Sequence, residues 1–508
     1  MVERCTGMGL MGIESFKVMI EADLASGLPA FDVVGLPDAA VKESRDRVRS
    51  AMRNCGFDFP VGRITVNLAP ADIKKVGPLY DLPILISLLK LSGQLDANIE
   101  DAVFIGEISL SGVVNKVNGI LPMTIEAQKL GCKRIFVPYP NRAEAAVVKG
   151  IDVYPVKNIQ QLHAHLSGRK AITKSDPEKL TVTLGNFDVD FSQVKGQYEA
   201  KRALEIAAAG SHNVLLVGPP GSGKSMLAQR VPTILPDMTF EETIETTKIH
   251  SIAGTIPNGV SLINQRPFRS PHHTISPMGL AGGGAVPGPG EISLAHNGVL
   301  FLDELPEFSR TTMEVLRQPL EDGTVTISRV SGTLTYPCSV AMICAMNPCP
   351  CGYYGTGVRK CTCTAAAVTK YLNKISGPLL DRIDIHIEVP SVKYEELSSA
   401  VPAEPSEEIR RRVNKARDIQ TERYKDLPIN ANARIPSGKI HEFCALDDNA
   451  DKMLEKAFDK MGLSSRAYSK ILKVSRTIAD LDGSDVIKSD HVAEAIQYRS
   501  LDRKYWNR

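Results

Sequence analysis

The segment GPPGSGKS, residues 218–225, is the feature that most narrows the fold of this chain. It matches the pattern G-x-x-x-x-G-K-[ST] and lies between an apolar strand candidate, NVLLV, and a segment with helical periodicity. A glycine-rich turn with an incidental lysine is the alternative, but a complete motif in this setting is rare by chance. In such a loop, backbone N–H groups and the helix N-terminus bind the phosphates of ATP, Lys224 contacts the β and γ phosphates, and Ser225 ligates Mg²⁺. The predicted nucleotide-binding residues are Gly218, Pro219, Pro220, Gly221, Ser222, Gly223, Lys224 and Ser225.

Two carboxylates end a second apolar strand candidate, GVLFLDE, which begins at Gly298. Phosphoryl transfer requires a metal ligand and a group that orients the attacking water. We predict that Asp303 holds the magnesium, directly or through water, and that Glu304 orients and polarises the water. A buried strand with a solvated acidic end is the alternative, which the upstream phosphate loop disfavours.

Three further polar residues are placed to act on a triphosphate. Asn347 ends the apolar segment SVAMICAMN, where it could contact the γ-phosphate or its water, or cap the next loop. Arg382 directly precedes a strand candidate, and its guanidinium suits charge stabilisation in a neighbouring subunit's site. A salt bridge to Asp381 or Asp384 is its structural alternative. Arg466, near the start of a C-terminal helix, could reach the same phosphates.

Ten cysteines occur in the chain, and four of them, Cys349, Cys351, Cys361 and Cys363, fall in the segment 347–363. Four thiolates can surround one tetrahedral Zn²⁺, and a closed site of four sulfurs is structural rather than catalytic. C-x-C is tighter than the usual C-x₂-C spacing, so free thiols and a labile redox pair are the alternatives. We predict a zinc ion that keeps a loop after Asn347 in shape.

The segment RPFRSPHHTISPMGLAGGG contains Arg266, Arg269, His272 and His273 and is too rich in Pro and Gly for a long helix. Arginine pairs well with phosphate, so this loop is a candidate contact with DNA backbone. A structural role for the two histidines is the alternative.

The pattern of apolar segments predicts an α/β protein with distinct domains. Strand and helix candidates alternate in an α+β domain over 1–166, a polar linker follows over 167–186, a parallel sheet core spans 187–390, and a helical lid spans 391–508. Lys and Arg number 60 against 58 Asp and Glu, a net charge of +2 that provides no bulk attraction to DNA or membranes. The start has no apolar h-region, and the longest apolar run, LPILISLLKL, is too short to cross a bilayer. We therefore expect a cytoplasmic protein without membrane association.

The chain resembles the magnesium-chelatase-like branch of the AAA+ ATPases, through RPFRSPHHTIS, NPCPCGYYG and LLDRIDIHIEVP. With its opening segments, which include RITVNLAPADIKK, it is similar to the competence proteins of the YifB/ComM type. The resemblance implies a homo-hexameric ring with ATP bound between subunits, Arg382 as an arginine finger in trans, and Asn347 and Arg466 as sensors. It also implies helicase activity that drives branch migration of single-stranded or branched DNA, during recombination of incoming DNA in natural transformation.

The N-terminal domain resembles the Lon-type peptidase fold but departs from it at both catalytic positions. Leu79 stands where the family has its Ser, and Leu121 stands where it has its Lys. Two leucines supply neither nucleophile nor base, so we predict a non-proteolytic domain that contacts DNA or builds the ring. The alternatives for the whole chain are a magnesium-chelatase-type motor subunit, an ATP-dependent protein remodeller and a non-enzymatic scaffold.

Overall fold

A computed structural model of the chain describes residues 2–176, 187–257, 259–284, 287–329, 332–357, 359–392, 394–398 and 403–506. Residues 177–186 of the predicted linker lie outside the described residues. Within the described ranges, none of the helices is both long and apolar enough to cross a membrane.

The strands and helices are numbered here in chain order. The strands are β1 (Val2–Met11), β2 (Glu14–Ala25), β3 (Ala30–Val34), β4 (Arg63–Ala69), β5 (Ala102–Phe104), β6 (Glu107–Ile108), β7 (Val114–Asn115), β8 (Arg134–Pro138), β9 (Asp152–Val156), β10 (Val214–Val217), β11 (Phe268–Arg269), β12 (Gly282–Gly283), β13 (Gly288–Pro289), β14 (Val299–Leu302), β15 (Thr324–Arg329), β16 (Gly332–Pro337), β17 (Ala341–Met346) and β18 (Ile385–Glu388). The helices are α1 (Ala39–Asn54), α2 (Asp81–Leu91), α3 (Ile120–Lys129), α4 (Arg142–Ala145), α5 (Ile159–Leu166), α6 (Tyr198–Gly210), α7 (Lys224–Arg230), α8 (Phe240–Ile252), α9 (Pro277–Ala281), α10 (Glu291–Leu294), α11 (Arg310–Glu314), α12 (Arg317–Asp322), α13 (Ala365–Leu372), α14 (Gly377–Leu380), α15 (Tyr394–Ser398), α16 (Ser406–Arg423), α17 (Ile440–Phe443), α18 (Asp448–Met461), α19 (Ser465–Leu481), α20 (Ser489–Gln497) and α21 (Ser500–Trp506).

The chain forms two compact units, and the first contains the N-terminal residues Met1–Leu184. Its sheet has the strand order β3-β4-β2-β1-β5-β8-β9, antiparallel from β4 through β1 and parallel at both ends. Helix α1 shows why the sequence folds this way locally. The Asp38 side chain accepts the N–H of Val41 at 2.8 Å and caps the helix, and the buried residues Val41, Val48 and Met52 recur at helical spacing.

Two segments from the middle of the chain also belong to the first unit, namely Phe240–Asn264 and Ser328–Thr335. Helix α8 lies in the first of them and packs against α3. The backbone N–H of Gly119 donates to the carbonyl of Ser251 at 3.0 Å. The buried carboxylate of Glu144 accepts hydrogen bonds from the Ser251 hydroxyl and the Leu121 N–H. The first unit is therefore discontinuous in sequence, whereas the sequence predicted both segments within a continuous core over 187–390.

The second unit contains a parallel sheet with the strand order β11-β14-β17-β10-β18. Its strands are short and apolar, and all residues of β10, β14 and β17 are buried. Parallel strands covered on both faces read as continuous apolar runs rather than as alternating ones. The C-terminal part, from α16 to α21, is helical. The predicted fold class is thereby confirmed: a P-loop parallel sheet core with an N-terminal α+β domain and a helical C-terminal region.

Candidate active site

The phosphate loop leaves the centre of the second unit's sheet. Strand β10 lies between β17 and β18, and the loop 218–223 joins its carboxyl end to α7. Gly221 and Gly223 adopt φ of 75° and 91°, a backbone conformation that glycine reaches without steric cost. Because ligands of open α/β sheets bind at the carboxyl ends of the strands, the loop occupies the expected edge.

Lys224 is anchored at this edge by oxygen atoms. Its Nζ donates to the carbonyls of Gly218 at 2.8 Å and Pro219 at 2.9 Å, and to Asn347 Oδ1 at 3.2 Å. Burial lowers the pKa of Lys224 to about 8, while the negative charges of Asp303 and Glu304 act in the opposite direction. The structure thus brings together Lys224 and Asn347, which are 123 positions apart in the sequence.

Ser225 and Asp303 form the second polar pair of the site. The Ser225 hydroxyl donates to Asp303 Oδ2 at 2.6 Å, and Asp303 follows strand β14 directly. A hydroxyl and a carboxylate are both oxygen ligands of the type that Mg²⁺ prefers. The donor set therefore fits a magnesium ion held between the phosphate loop and the end of β14.

Glu304 projects from a tight bend after this pair. Its φ is 51°, in the left-handed region that non-glycine residues seldom adopt, at a cost of about 1 kcal/mol. The side chain is 58% exposed, and its Oε2 lies 3.6 Å from His273 Nδ1. An exposed carboxylate beside a half-buried candidate metal ligand, Asp303, is placed to meet a water molecule.

Among the described residues, no hydrogen bond or ion pair joins Arg382, the predicted arginine finger, or Arg466, a predicted sensor, to the phosphate loop. Arg382 is mostly buried, pairs with Glu321, and donates to the carbonyls of Arg317 at 3.0 Å and Pro378 at 2.6 Å. Its ion-pair partner is thus Glu321, whereas Asp384 pairs with Lys470 at 2.9 Å. Arg466, at 68% exposure, lies 3.5 Å from Asp381, the residue next to Arg382.

The four clustered cysteines converge on one point. Their sulfur atoms all lie within 4.8 Å of one another, and three Sγ pairs are 3.4, 3.5 and 3.7 Å apart. A disulfide would require about 2.05 Å, whereas four sulfurs at about 2.3 Å from a tetrahedral zinc lie roughly 3.8 Å apart. Backbone N–H groups of Tyr354 and Cys363 donate to Cys349 Sγ at 3.3 Å and Cys361 Sγ at 3.4 Å. The arrangement fits a tetrahedral Zn²⁺ with N–H groups that favour thiolate ligands.

The cysteine loop also touches the phosphate loop. Gly352, with φ of 86°, lies so close to Pro220 that an added Cβ would come within 2.4 Å of the proline Cδ. The Gly352 N–H donates to the carbonyl of Cys349 at 2.9 Å, which closes the turn that carries this contact. The turn that follows Cys349 therefore packs directly on the phosphate loop.

The four residues predicted to contact DNA have partners within the second unit. Arg266 donates to the carbonyls of Pro236 at 2.6 Å and Asn297 at 2.8 Å, and Arg269 pairs with both oxygens of Glu291 at 2.6 and 2.7 Å. His272 Nδ1 lies 2.9 Å from Thr274 Oγ1, and His273 faces Glu304. These contacts give both arginines a structural role, and their contact with DNA stays a prediction.

Comparisons with known proteins assign the chain to a family. The model described as "Magnesium chelatase, subunit ChlI" matches residues 190–397, "Subunit ChlI of Mg-chelatase" matches 20–141, and "Magnesium chelatase, subunit ChlI C-terminal" matches 403–499. Competence protein ComM of Haemophilus influenzae is 45% identical over 500 residues, which cover 97% of this chain and 96% of ComM. YifB of Escherichia coli (strain K12) is 44% identical over 495 residues, with the same two coverages. The chain belongs to the YifB/ComM family.

The first unit adds the second resemblance predicted from the sequence. The Lon protease of Mycolicibacterium smegmatis is 24% identical over 170 residues in the N-terminal part, 31% of this chain and 22% of that enzyme. In this YifB/ComM family member Leu79 is buried in a short 3₁₀ helix, Pro78–Tyr80, and Leu121 is buried in α3. Neither side chain carries a group that can act as nucleophile or base.

One residue beside the phosphate loop of this YifB/ComM family member, Gln197, was not predicted from the sequence. Gln197 adopts φ of 56° just before α6, and its side-chain amide donates to the carbonyls of Ser222 at 3.3 Å and Pro390 at 2.6 Å. A cavity of about 620 Å³ opens next to it, lined by residues that include Tyr198, Lys201 and Glu396. The only local signal for Gln197 was the Gly-Gln pair before a helix. Its hydrogen bonds are to residues distant in the sequence, so they could not be predicted.

Proposed function

We propose that this YifB/ComM family member is an ATP-hydrolysing AAA+ ring motor that acts on DNA as a branch-migration helicase. The observation that supports it best is the paired geometry at one sheet edge, in which Lys224 contacts Asn347 and Ser225 contacts Asp303. A lysine for phosphate, two oxygen ligands for magnesium and a polar residue at the end of the neighbouring strand are the groups that phosphoryl transfer requires.

Each residue of this site has a role in the proposed reaction. Backbone N–H groups of residues 218–225 bind the phosphates, and Lys224 neutralises negative charge on the β and γ phosphates. Ser225 and Asp303 would hold Mg²⁺, which when bound would neutralise the negative charge that develops on the phosphates. Glu304 orients the attacking water, and Asn347 fixes the position of the γ-phosphate or of that water. The cavity beside Gln197 is large enough to receive the base and ribose of ATP.

The ring is proposed from the two arginines. Arg382 and Arg466 are neighbours through Asp381, and neither is bonded to the phosphate loop among the described residues. A second copy of the chain would bring both to a neighbouring triphosphate, with Arg382 as the arginine finger in trans. The resemblance to AAA+ ATPases supports a homo-hexamer.

Zinc is proposed as a structural ion held by Cys349, Cys351, Cys361 and Cys363. The sulfur spacing fits a closed tetrahedral site, which has no open position for chemistry. Its role is to shape the loop that packs on Pro220. The N-terminal unit, without a Ser–Lys dyad, is proposed to be non-proteolytic and to contact DNA or build the ring.

The DNA substrate is proposed from the family. The relative ComM is named a competence protein, and 97% of this chain aligns with it. The resemblance to competence proteins implies a role in the recombination of incoming DNA during natural transformation, so branched recombination intermediates are the proposed substrate class. The near-neutral net charge of +2 means that the DNA contact must be local.

The test is ATP-dependent movement of a labelled three-strand or four-way DNA junction by the purified protein. The control is Glu304→Gln, with Glu307→Gln as a matched variant because Glu307 is an exposed carboxylate three positions away that pairs with Lys374. Junction movement that requires ATP and stops only in Glu304→Gln supports the proposal. If the protein hydrolyses ATP but moves no junction, the proposed ATPase activity stands and the proposed DNA substrate is wrong. A protein substrate would then be tested.

A further inference from the structure

Acidic residues are missing from one long stretch of this chain. Asp and Glu make up 58 of the 508 residues, yet none occurs between Asp322 and Asp381, a stretch of more than a tenth of the chain. This stretch contains the cysteine loop and helix α13. A protein with a net charge of only +2 thus has one region in which every charged side chain is positive.

Two lysines of this region are exposed without an opposing charge. Lys360 and Lys370 both lie at the surface, and among the described residues neither side chain takes part in an ion pair or a hydrogen bond. Arg359 is also exposed, and its guanidinium carbon lies 5.5 Å from the centroid of the Tyr353 ring. These three cations can therefore contact a negatively charged partner without first breaking an ion pair.

The cysteine cluster brings an aromatic side chain to these cations. The Tyr354 N–H donates to Cys349 Sγ at 3.3 Å, and Cys349 Sγ lies 3.7 Å from Cys361 Sγ. Because Lys360 directly precedes Cys361, Tyr354 and Lys360 are both anchored to the same cluster. The Tyr354 side chain is 41% exposed, and its ring lies 6.4 Å from that of Tyr505 between centroids. An exposed aromatic ring beside unpaired cations is the combination that binds single-stranded nucleic acids.

Helix α13 carries the third of these cations. The helix begins at Ala365, two positions after Cys363, and Lys370 lies five residues further, about 7.5 Å along the helix axis. A few consecutive nucleotides of one strand cover such a distance. Lys360 and Lys370 are therefore close enough along the chain to contact phosphates of the same strand.

Two carboxylates near this loop are neutralised by lysines. Glu307 pairs with Lys374 at 3.3 Å, and Glu388 pairs with Lys504 at 2.6 Å. Lys504 also lies beside the cysteine loop, since a Cβ added at Gly355 would be 3.4 Å from its Cε. Neither carboxylate therefore opposes a polyanion at this surface.

We propose that Tyr354, Arg359, Lys360 and Lys370, named here the cysteine-loop surface, bind a single DNA strand. The three cations contact backbone phosphates and the tyrosine ring stacks on a base, so that binding does not depend on sequence. This inference rests on the proposed function, because it takes DNA as the substrate. It assigns the local contact that the near-neutral net charge requires.

The first test removes the two unpaired lysines. Lys360→Gln/Lys370→Gln takes away two cations, and Lys360→Arg/Lys370→Arg keeps both charges. Lys456→Gln/Lys460→Gln is the matched control, at two exposed lysines of α18 that stand among acidic residues. The measurement is the fluorescence anisotropy of a labelled oligothymidylate titrated with the full-length protein at several salt concentrations, with a non-hydrolysable ATP analogue present.

We expect the Kd of Lys360→Gln/Lys370→Gln for the oligonucleotide to rise at least about ten-fold at about 0.1 M salt. The slope of log Kd against log salt concentration should fall by about 1.4, since each phosphate contact on a single strand contributes about 0.7. The arginine pair and the α18 control should keep both wild-type values. An equal loss in the two glutamine pairs would show attraction without a defined site, and no loss in either pair would exclude the lysines from the contact. Both outcomes would overturn the inference.

Tyr354 tests the assignment to a single strand. Tyr354→Ala should weaken binding at least about five-fold with an unchanged salt slope, whereas Tyr354→Phe should bind as the wild-type protein does, because stacking requires the ring and not a charge. Normal binding of oligothymidylate by Tyr354→Ala would show that this surface does not bind a single strand. Competition identifies the class of partner: if polyglutamate displaces the labelled DNA as effectively as unlabelled oligothymidylate does, the surface binds acidic polypeptide and the inference is wrong.

Two outcomes distinguish this inference from the proposed function. If the wild-type protein binds the oligonucleotide and moves DNA junctions, while Lys360→Gln/Lys370→Gln binds as tightly, the strand lies elsewhere and the proposed function stands. If the wild-type protein binds no DNA and moves no junction, the proposed DNA substrate is wrong and this inference is wrong with it.

Discussion

Gly352 lies against Pro220, so that any side chain at position 352 would place its Cβ 2.4 Å from the proline Cδ. The first residue belongs to the turn between the clustered cysteines and the second to the phosphate loop. The contact is direct, and it makes the shape of the cysteine loop a determinant of the shape of the nucleotide site.

Gly352→Ala should therefore raise KM for ATP. The added methyl must displace Pro220 or the turn. Alanine must also adopt the φ of 86° found at Gly352, which lies in the left-handed region that favours glycine. Gly357→Ala is the matched control, because its φ is 69° and nothing lies within 4 Å of its added Cβ. We expect a KM increase of about ten-fold only for Gly352→Ala, and about 1 kcal/mol of backbone strain for each variant. If Gly352→Ala and Gly357→Ala have equal KM values for ATP in steady-state assays, the contact between Gly352 and Pro220 does not affect nucleotide binding.

Replacing Cys361 and Cys363 together by Ser should release the proposed zinc. Zinc binding requires four thiolates, and a serine hydroxyl does not replace one of them. Elemental analysis should give about one zinc per chain in the wild-type protein and in Cys132→Ser, a control at a half-buried thiol, and close to none in the double variant. Retention of zinc by the double variant would exclude the four-sulfur site. We also expect weaker ATP binding in the double variant, measured by titration with a fluorescent nucleotide.

Glu304→Gln should bind ATP normally and hydrolyse it at least about 100-fold more slowly, because an amide cannot polarise water as a carboxylate does. Glu307→Gln removes an exposed carboxylate nearby and should keep the wild-type rate. Single-turnover assays separate binding from hydrolysis. A rate within about two-fold of wild type in Glu304→Gln would show that another group orients the water.

Arg382→Ala should hydrolyse ATP about 1,000-fold more slowly than the wild-type protein. Mixing it with Lys224→Ala should restore activity. Lys224→Ala alone should also be inactive, but a ring that contains both variants places an intact Arg382 beside an intact phosphate loop. Glu321→Gln breaks the ion pair of Arg382 while keeping the guanidinium, and it reports how much of the loss is structural. Activity that does not return in mixed rings would place the action of Arg382 within its own subunit.

The stability of Glu144→Gln relative to the wild-type protein should increase as pH rises. Burial is the main cause that raises the pKa of Glu144, against hydrogen bonds from Ser251 and Leu121. With a folded-state pKa above the unfolded one, the wild-type protein loses stability as pH rises from about 4.3 through the folded value, whereas Gln does not titrate. The difference in unfolding temperature, Gln minus Glu, should increase between pH 4.5 and pH 7.5 by scanning calorimetry. A difference independent of pH would show that the carboxyl does not titrate on unfolding.

The sequence predicted the features that depend on local order. The phosphate loop between a strand and a helix, the acidic pair after an apolar strand and the spacing of four cysteines are each complete within a short segment. Contacts between distant segments were not predictable. Examples are Glu321 as the partner of Arg382, His273 as the neighbour of Glu304, and Gln197 beside Ser222. In each case the partner is set by strand order and loop course, which a single sequence does not encode in any nearby pattern.

The division of the chain also has a practical consequence that follows from helix α8. Because α8, the helix at the start of the segment Phe240–Asn264, packs against α3 in the N-terminal unit, the polypeptide leaves the ATPase half between the phosphate loop and β11 and then returns to it. If the chain is cut near residue 185, the segment 240–264 loses the apolar surface of the N-terminal unit against which α8 packs. Both ends of the segment then lose their support, and these ends connect to the phosphate loop and to β11, the strand before His273. The ATPase half therefore cannot be expressed alone by a single truncation. Its expression requires that residues 240–264 be replaced by a short linker.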